Sequence, residues 1–180
     1  MKAASKKGIK VSLDLNYRAT LWTNKNPFEV VSKLMPYVNV LMGNIWAIQQ
    51  FLQIPIEYEL NGTFDDANLL KQAELSAKKI QEIHPNVEIV ANTFRFTQGE
   101  EVNYFATLFT KNQLFVSEHY YSEKVEERVG SGDSFMAALI HGILRNHPSL
   151  NVLENATKVA FKKLFVKGDT INQTICIENL

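Results

Sequence analysis

The sequence predicts an α/β fold, a largely parallel sheet with flanking helices and one antiparallel hairpin inserted. Three observations carry that expectation. Short apolar, strand-like segments alternate with segments whose apolar residues recur at helical spacing, the pattern of β-α-β units. Two strand-like segments, VNYFATLF and QLFVSEHY, are separated only by Thr110-Lys111-Asn112, which suggests a hairpin. The composition, 46% hydrophobic and 21% charged over 180 residues, is that of a soluble globular domain with a core of its own.

Taken in order, residues 2–7 read as the last turn of a helix closed by Gly8. IKVSLDL then alternates as a strand, with Asp14 and Asn16 at its C-terminal end. After Pro27, FEVVSKLMPYV is expected to form a short helix, and VNVLMG a buried strand running into Asn44. NIWAIQQFL is a helix candidate with Asn44 as its cap. From Asp65 to Ile83, Leu69, Ala73, Ala77 and Ile80 recur on one helical face; Asp65 and Asp66 favour its start, and Pro85 lies just past its end. VEIVANTF is a further strand, followed by the hairpin and an extended YSEKVEE. Between Gly132 and Arg145, Phe135, Ala138, Leu139, Gly142 and Ile143 share a helical face, which Met136, Ala137 and Ile140 widen, so this helix is expected to be deeply buried. Pro148 ends it, and LNVLENATKVAFKKLF forms one more helix before Gly168.

Charge narrows the function classes. Lysine plus arginine and aspartate plus glutamate number 19 each, so there is no basic excess to displace counterions from nucleic acid. No apolar run is long enough to span a bilayer. Cys176 is the only cysteine, so no disulfide can form within the chain, and a cytoplasmic location is expected. The four histidines, His84, His119, His141 and His147, include no pair at metal-ligating helical spacing and are expected in packing or at the surface.

The chemistry concentrates in ERVGSGDSF, residues 127–135. A glycine-rich turn feeding a helix presents unpaired N–H groups at the positive end of the helix dipole, which suits a phosphate. Neither G-x-x-x-x-G-K-[ST] nor G-x-G-x-x-G is present. A carboxylate directly after such a turn makes sense if the phosphoryl group is being transferred. The amides of Gly130, Ser131 and Gly132 hold the charge on the migrating group, while Asp133 accepts the proton of the attacking hydroxyl. The alternative reading of the same residues is a helix cap preceded by turn-forming glycines.

ERVGSGDSFMAALIHGIL resembles the signature of the ribokinase-like (PfkB) carbohydrate kinases: an acidic residue, two variable positions, G-x-G-D and a hydrophobic helix. LDLNYRATLW is similar to that superfamily's D-x-N-x-R-x-x-L-W segment, and GNIWAIQQFLQIP falls where such kinases carry an Asn and a nearby Glu. FVKGDTIN resembles the closing G-D element of 2-keto-3-deoxygluconate kinases, the subfamily that Arg128 and the Gly168-Asp169 pair fit best.

That resemblance implies a ribokinase-like Rossmann-type sandwich, present in part. Residues 1–180 would be a single partial domain, the C-terminal, nucleotide-binding portion of the sheet with its helices. The N-terminal half and β lid would be missing, leaving a sheet edge to be covered by a homo-oligomer or by that half. The implied reaction is ATP-dependent phosphorylation of a sugar acid, 2-keto-3-deoxygluconate to its 6-phosphate, with fructose or ribose as alternative substrates. A catalytically silent fragment that binds nucleotide or a partner chain is the competing function. The implied roles are Asp133 as base, Gly130, Ser131 and Gly132 as anion hole, and Asn16, Tyr17, Arg18 and Asn44 near the ATP phosphates. Arg18, Asp133 and Asp169 would meet the substrate. Magnesium would arrive with the nucleotide, ordered near Asn44, with no direct protein ligand. Asn44 has a helix cap, Arg18 a surface salt bridge and Asp169 a turn as the alternative role. Residues between Val152 and Gly168 are expected to loop around part of the adenine. The sequence departs from the family pattern at Ala47, where a Glu is usual, and at Glu127, where Asp is commoner.

Overall fold

The computed structural model of the chain describes residues 1–63 and 67–168. Asp65, Asp66, Asp169 and Cys176 therefore lie outside the described residues. A helical turn, α1 (Lys2–Lys6), stops before Gly8, which takes the left-handed φ of 70°. Three parallel strands follow: β1 (Ser12–Asp14), β2 (Val40–Met42) and β3 (Ile89–Gln98), with Ser12 opposite Val40 and Val40 opposite Ile89. β3 turns through Gly99-Glu100 into β4 (Glu101–Thr110), and β4 turns through Lys111-Asn112 into β5 (Gln113–Val116). Lys111 and Asn112 have φ of 50° and 58°, the twist that a two-residue hairpin turn requires. β6 (Tyr120–Ser122) pairs antiparallel with β4, with Asn103 opposite Tyr121. The strand order is β1-β2-β3-β4-β5, with β6 joined to β4 off that path, so the sheet is mixed, as expected.

The helices are α2 (Pro27–Val31), α3 (Ile45–Leu52), α4 (Ala67–Ile83), α5 (Ser131–Leu144) and α6 (Ser149–Lys163). Among the described residues none is long and apolar enough to cross a membrane.

Three elements differ from expectation. The single helix over residues 28–38 is broken: α2 ends at Val31, and Met35–Tyr37 form a separate 3-10 turn. Pro36 is the cause, since it lacks the N–H that would bond Ser32 and its ring collides with the preceding helical turn. The strand IKVSLDL pairs only over Ser12–Asp14, because β2 offers three partners. In the opposite direction, β3 runs four residues past Phe94, and its hairpin with β4 was not anticipated. Arg95, Thr97 and Gln98 are exposed there, so that stretch carries no continuous apolar signal.

The described chain forms two compact units. One comprises mainly the residues before Thr93, together with the turn between β4 and β5. Its core gathers Leu15, Leu41, Ile48, Phe51, Ile80, Val90 and Phe109. The other comprises Thr93–Leu108 and the residues from Phe115 onward. There Phe94 and Phe105 stack at 4.7 Å, and Phe135, Leu139, Leu153 and Ala156 are fully buried. Gly142 of α5 lies against Val152 of α6 so closely that a Cβ would stand 2.9 Å from its Cγ2.

Candidate active site

The glycine turn is built in the second unit. Gly130 is the residue before α5 and has φ 81°, ψ −3°, a left-handed conformation that a side chain would resist. Its carbonyl accepts the Ser134 amide at 2.9 Å and the Ser134 hydroxyl at 2.8 Å. No side chain caps the helix. The N–H groups of Ser131, Gly132 and Asp133 thus begin α5 without helical acceptors, at the positive end of its dipole. Asp133 sits in the first turn, not at the cap, and is exposed. Among the described residues its carboxylate has no hydrogen-bond or ion-pair partner. The capping alternative therefore does not describe this residue.

Side chains brace the turn from both directions. Glu127 Oε1 accepts the amides of Arg128 at 2.9 Å and Val129 at 3.3 Å. Those two bonds, Val129's first, hold its carboxyl below the usual range; partial burial opposes them and the Lys163 ammonium assists. Arg95, on β3, donates from Nη1 to the Arg128 carbonyl at 3.1 Å and reaches the buried Ser131 hydroxyl at 3.5 Å. Arg128 in turn donates to the Gly99 carbonyl at 3.1 Å. The residues before the turn line an open cavity of about 280 Å³ with Glu100, Val125, Glu126, Glu127 and Arg128. Its three carboxylates disfavour a phosphate there, which leaves the amides of α5 as the better anion site.

Behind the turn, Lys163 at the end of α6 is fully buried. Its ammonium donates to the carbonyls of Val166 at 3.1 Å and Gly168 at 2.7 Å, so it holds the chain immediately before Asp169. The stretch from Val152 is helix as far as Lys163 and not the loop anticipated around adenine.

The remaining expected residues belong to the first unit, at the C-terminal ends of adjacent parallel strands. Asn16, Tyr17 and Arg18 follow β1, and Asn44 follows β2. Such strand ends are where open α/β sheets gather ligands. The Leu15 amide donates to the Met42 carbonyl at 2.7 Å, and Gly43 admits Leu15 at a separation where a Cβ would meet Leu15 Cβ at 2.9 Å. Tyr17 and Trp22 each pack edge-on against Phe51 at 5.4 Å, which pins the loop inward, while Asn16 and Arg18 are exposed. Among the described residues Arg18 makes no ion pair, so the surface salt bridge is not what holds it. Asn44 Oδ1 accepts the Ala47 amide at 2.7 Å, which makes Asn44 the cap of α3. Ala47 itself is buried in the apolar core, so its position presents no metal ligand. Among the described residues no cluster of His, Cys, Asp or Glu could hold a metal ion. The histidines are spread as expected: burial pushes His84 down, His119 stacks on Phe105 at 4.3 Å, His141 is exposed and His147 is half-buried.

Arg95 and Lys163 were missed by sequence reasoning. Arg95 stands 36 positions before Ser131, and only the sheet brings the two together. Lys163 reads as one more cation in a lysine-rich helix end, and nothing local marks it as buried.

The family model of the pfkB family carbohydrate kinases matches residues 1–176. No curated protein matches. Among solved structures, the 2-dehydro-3-deoxygluconokinase of Thermotoga maritima superposes with a TM-score of 0.84 at 31% identity, over 96% of this chain and 50% of that one. A PfkB family carbohydrate kinase from Listeria grayi gives 0.78 at 27% identity, over 93% of this chain and 48% of that one. An Escherichia coli protein described as a ribokinase II, solved with ATP and magnesium, shares the fold with a TM-score of 0.63 at 15% identity, over 93% of this chain and 46% of that one. The chain thus spans about half the length of the solved structures it matches. The family match, the mixed sheet and the glycine turn agree: the chain belongs to the pfkB family of carbohydrate kinases.

Proposed function

We propose that the chain is the portion of an ATP-dependent sugar kinase that carries its catalytic turn, and that the substrate is 2-keto-3-deoxygluconate, phosphorylated to its 6-phosphate. The observation that carries the reading is Asp133, an exposed carboxylate without a partner among the described residues, directly beside N–H groups that no helical acceptor satisfies. A carboxylate committed to capping could not act as a base; this one is available.

In the transfer, the substrate hydroxyl oxygen forms a bond to the γ-phosphorus of ATP. The bond from that phosphorus to the bridging oxygen breaks, and ADP leaves with the electron pair. Asp133 takes the hydroxyl proton as the new bond forms. Charge spreads over the equatorial phosphoryl oxygens, where the amides at Gly130, Ser131 and Gly132 and the α5 dipole oppose it without reorganising. Arg18 offers a planar guanidinium suited to a carboxylate or phosphate, and Asn16, Tyr17 and Asn44 are assigned to the nucleotide phosphates. Asp169 is assigned to the sugar hydroxyls. The donor set suits a nucleotide's phosphates, with magnesium that arrives on the nucleotide and keeps much of its water. ATP and magnesium use is supported by the Escherichia coli complex. The choice of sugar acid is supported by the Thermotoga maritima kinase.

The half-length span favours a second reading, in which this polypeptide alone binds nucleotide or a partner chain and does not turn over. Both are tested by following ADP release with 2-keto-3-deoxygluconate, fructose and ribose, for the wild type and Asp133→Asn, alongside ATP titration. The kinase reading expects release that is fastest with the keto acid and falls about 10²–10⁴-fold in the variant. Release that survives Asp133→Asn removes Asp133 from the mechanism. ATP binding without release by either form supports the second reading.

A further inference from the structure

We propose that Arg95 is a positioning residue for the catalytic turn, acting through a reciprocal clasp with Arg128. Each arginine donates to the other segment's backbone: Arg95 from β3 to the Arg128 carbonyl at 3.1 Å, and Arg128 from the turn to the Gly99 carbonyl of the β3–β4 hairpin at 3.1 Å. The same Arg95 nitrogen approaches Ser131 Oγ at 3.5 Å, so its reach extends into the first residue of α5. A turn that begins with a left-handed glycine is permissive by nature. Something other than its own φ/ψ preference must hold it in one conformation, and the clasp fastens it to a regular hairpin.

The charge arrangement argues against a merely structural link. Among the described residues no carboxylate pairs with Arg95. Partial desolvation of its otherwise exposed side chain draws its pKa down first; Tyr104 opposes that, and the like charge of Arg128 adds a smaller lowering. Arg128 shares its cavity with Glu100, Glu126 and Glu127, whereas Arg95 makes no ion pair among the described residues and brings its charge within 3.5 Å of Ser131 Oγ, a contact that a neutral donor could also make. The charge of Arg95 gains its sense when an anion docks at the adjacent amides of α5 and answers it. Arg95 touches no reacting atom in this assignment. It holds the amides in register and adds field.

The field role rests on the kinase reading; the clasp itself does not. Amide exchange followed by NMR tests the clasp without any ligand. In Arg95→Gln, the Arg128 and Val129 amides, bonded to Glu127, and the Ser134 amide, bonded to Gly130, should exchange about tenfold faster, while the interior amides of α5 and α6 keep their rates. Arg95→Lys, which keeps the charge and one donor, should recover part of the loss. Unchanged exchange at all three amides, or a rise spread evenly over α5 and α6, overturns the clasp. Titration with magnesium-ATP then tests the field. Wild-type shifts should centre on Gly130–Asp133, with affinity about tenfold weaker in Arg95→Gln and closer to wild type in Arg95→Lys. Equal affinities in all three proteins overturn the field role. If magnesium-ATP leaves those amides unmoved in the wild type, the field role falls with the phosphate-binding reading, and the exchange result alone decides the clasp.

Discussion

Glu127 carries the acidic position that precedes the glycine turn, and its carboxylate accepts two consecutive amides. Those bonds favour the ionised form, so the folded state binds its proton more weakly than the unfolded chain does. For a group lowered in this way, the stabilisation is fully present above the unfolded pKa and is lost as pH falls through the folded one. Thermal unfolding followed from neutral pH down through the carboxylate range, roughly 3.5–4.5, should show a steeper acid decline for the wild type than for Glu127→Gln. Identical acid limbs would deny Glu127 this role. At this scale the sequence was informative where chemistry is contiguous. Gly130, Ser131, Gly132 and Asp133 are adjacent, so their geometry follows from one turn and one helix start. Arg95 and Lys163 become legible only after the chain folds, since each acts on residues that its own neighbours do not announce. Asn44 was legible as two alternatives, and the Ala47 amide on its Oδ1 shows that it caps α3, a bond that leaves its nitrogen for the other role.

Helix α5 positions Asp133 and is itself held by α6, and the closeness of that pair depends on Gly142. A methyl at 142 would meet both Val152 methyls, at 2.9 and 3.1 Å, and a β-branched side chain has little rotamer freedom with which to retreat. Overpacking costs about 1–3 kcal/mol, against about 1 kcal/mol gained from replacing a helical glycine with alanine. Gly142→Ala should therefore lower the denaturant midpoint, and Gly142→Ala with Val152→Ala should recover part of the loss, a coupling that independent sites would not show. Elements were legible in proportion to their own periodicity. α4, α5 and α6 lie where the pattern places them, but α5 is buried on one face only and not deeply as expected, since Ala137, His141 and Leu144 are exposed. The segment 28–38 also has an apolar face, but Pro36 overrides it, and the outer half of β3 is strand only because β4 pairs with it.

Across the whole molecule, β1 stands at one end of the strand order with β2 as its neighbour, and it is only three residues long. Ile9, just before it, is 56% exposed, and Leu21, in the turn that follows, is 72% exposed. A strand edge that no described residue pairs, flanked by exposed apolar side chains, favours association. Light scattering should report a species larger than one chain, and Ile9→Lys with Leu21→Lys should shift it toward the monomer. A wild-type monomer at all concentrations would contradict this. The parallel part of the sheet was readable from alternating strands and helices, whereas the exchange to an antiparallel part at β4 depended on hairpins, of which only the one through Lys111-Asn112 left a mark in the sequence. The ammonium of Lys163 has a consequence of its own. Amine-directed reagents, and enzymes that acylate lysines, will find its exposed neighbour Lys162 and pass it by, so covalent tagging at position 163 would act as a stopwatch for the moment the end of α6 lets go.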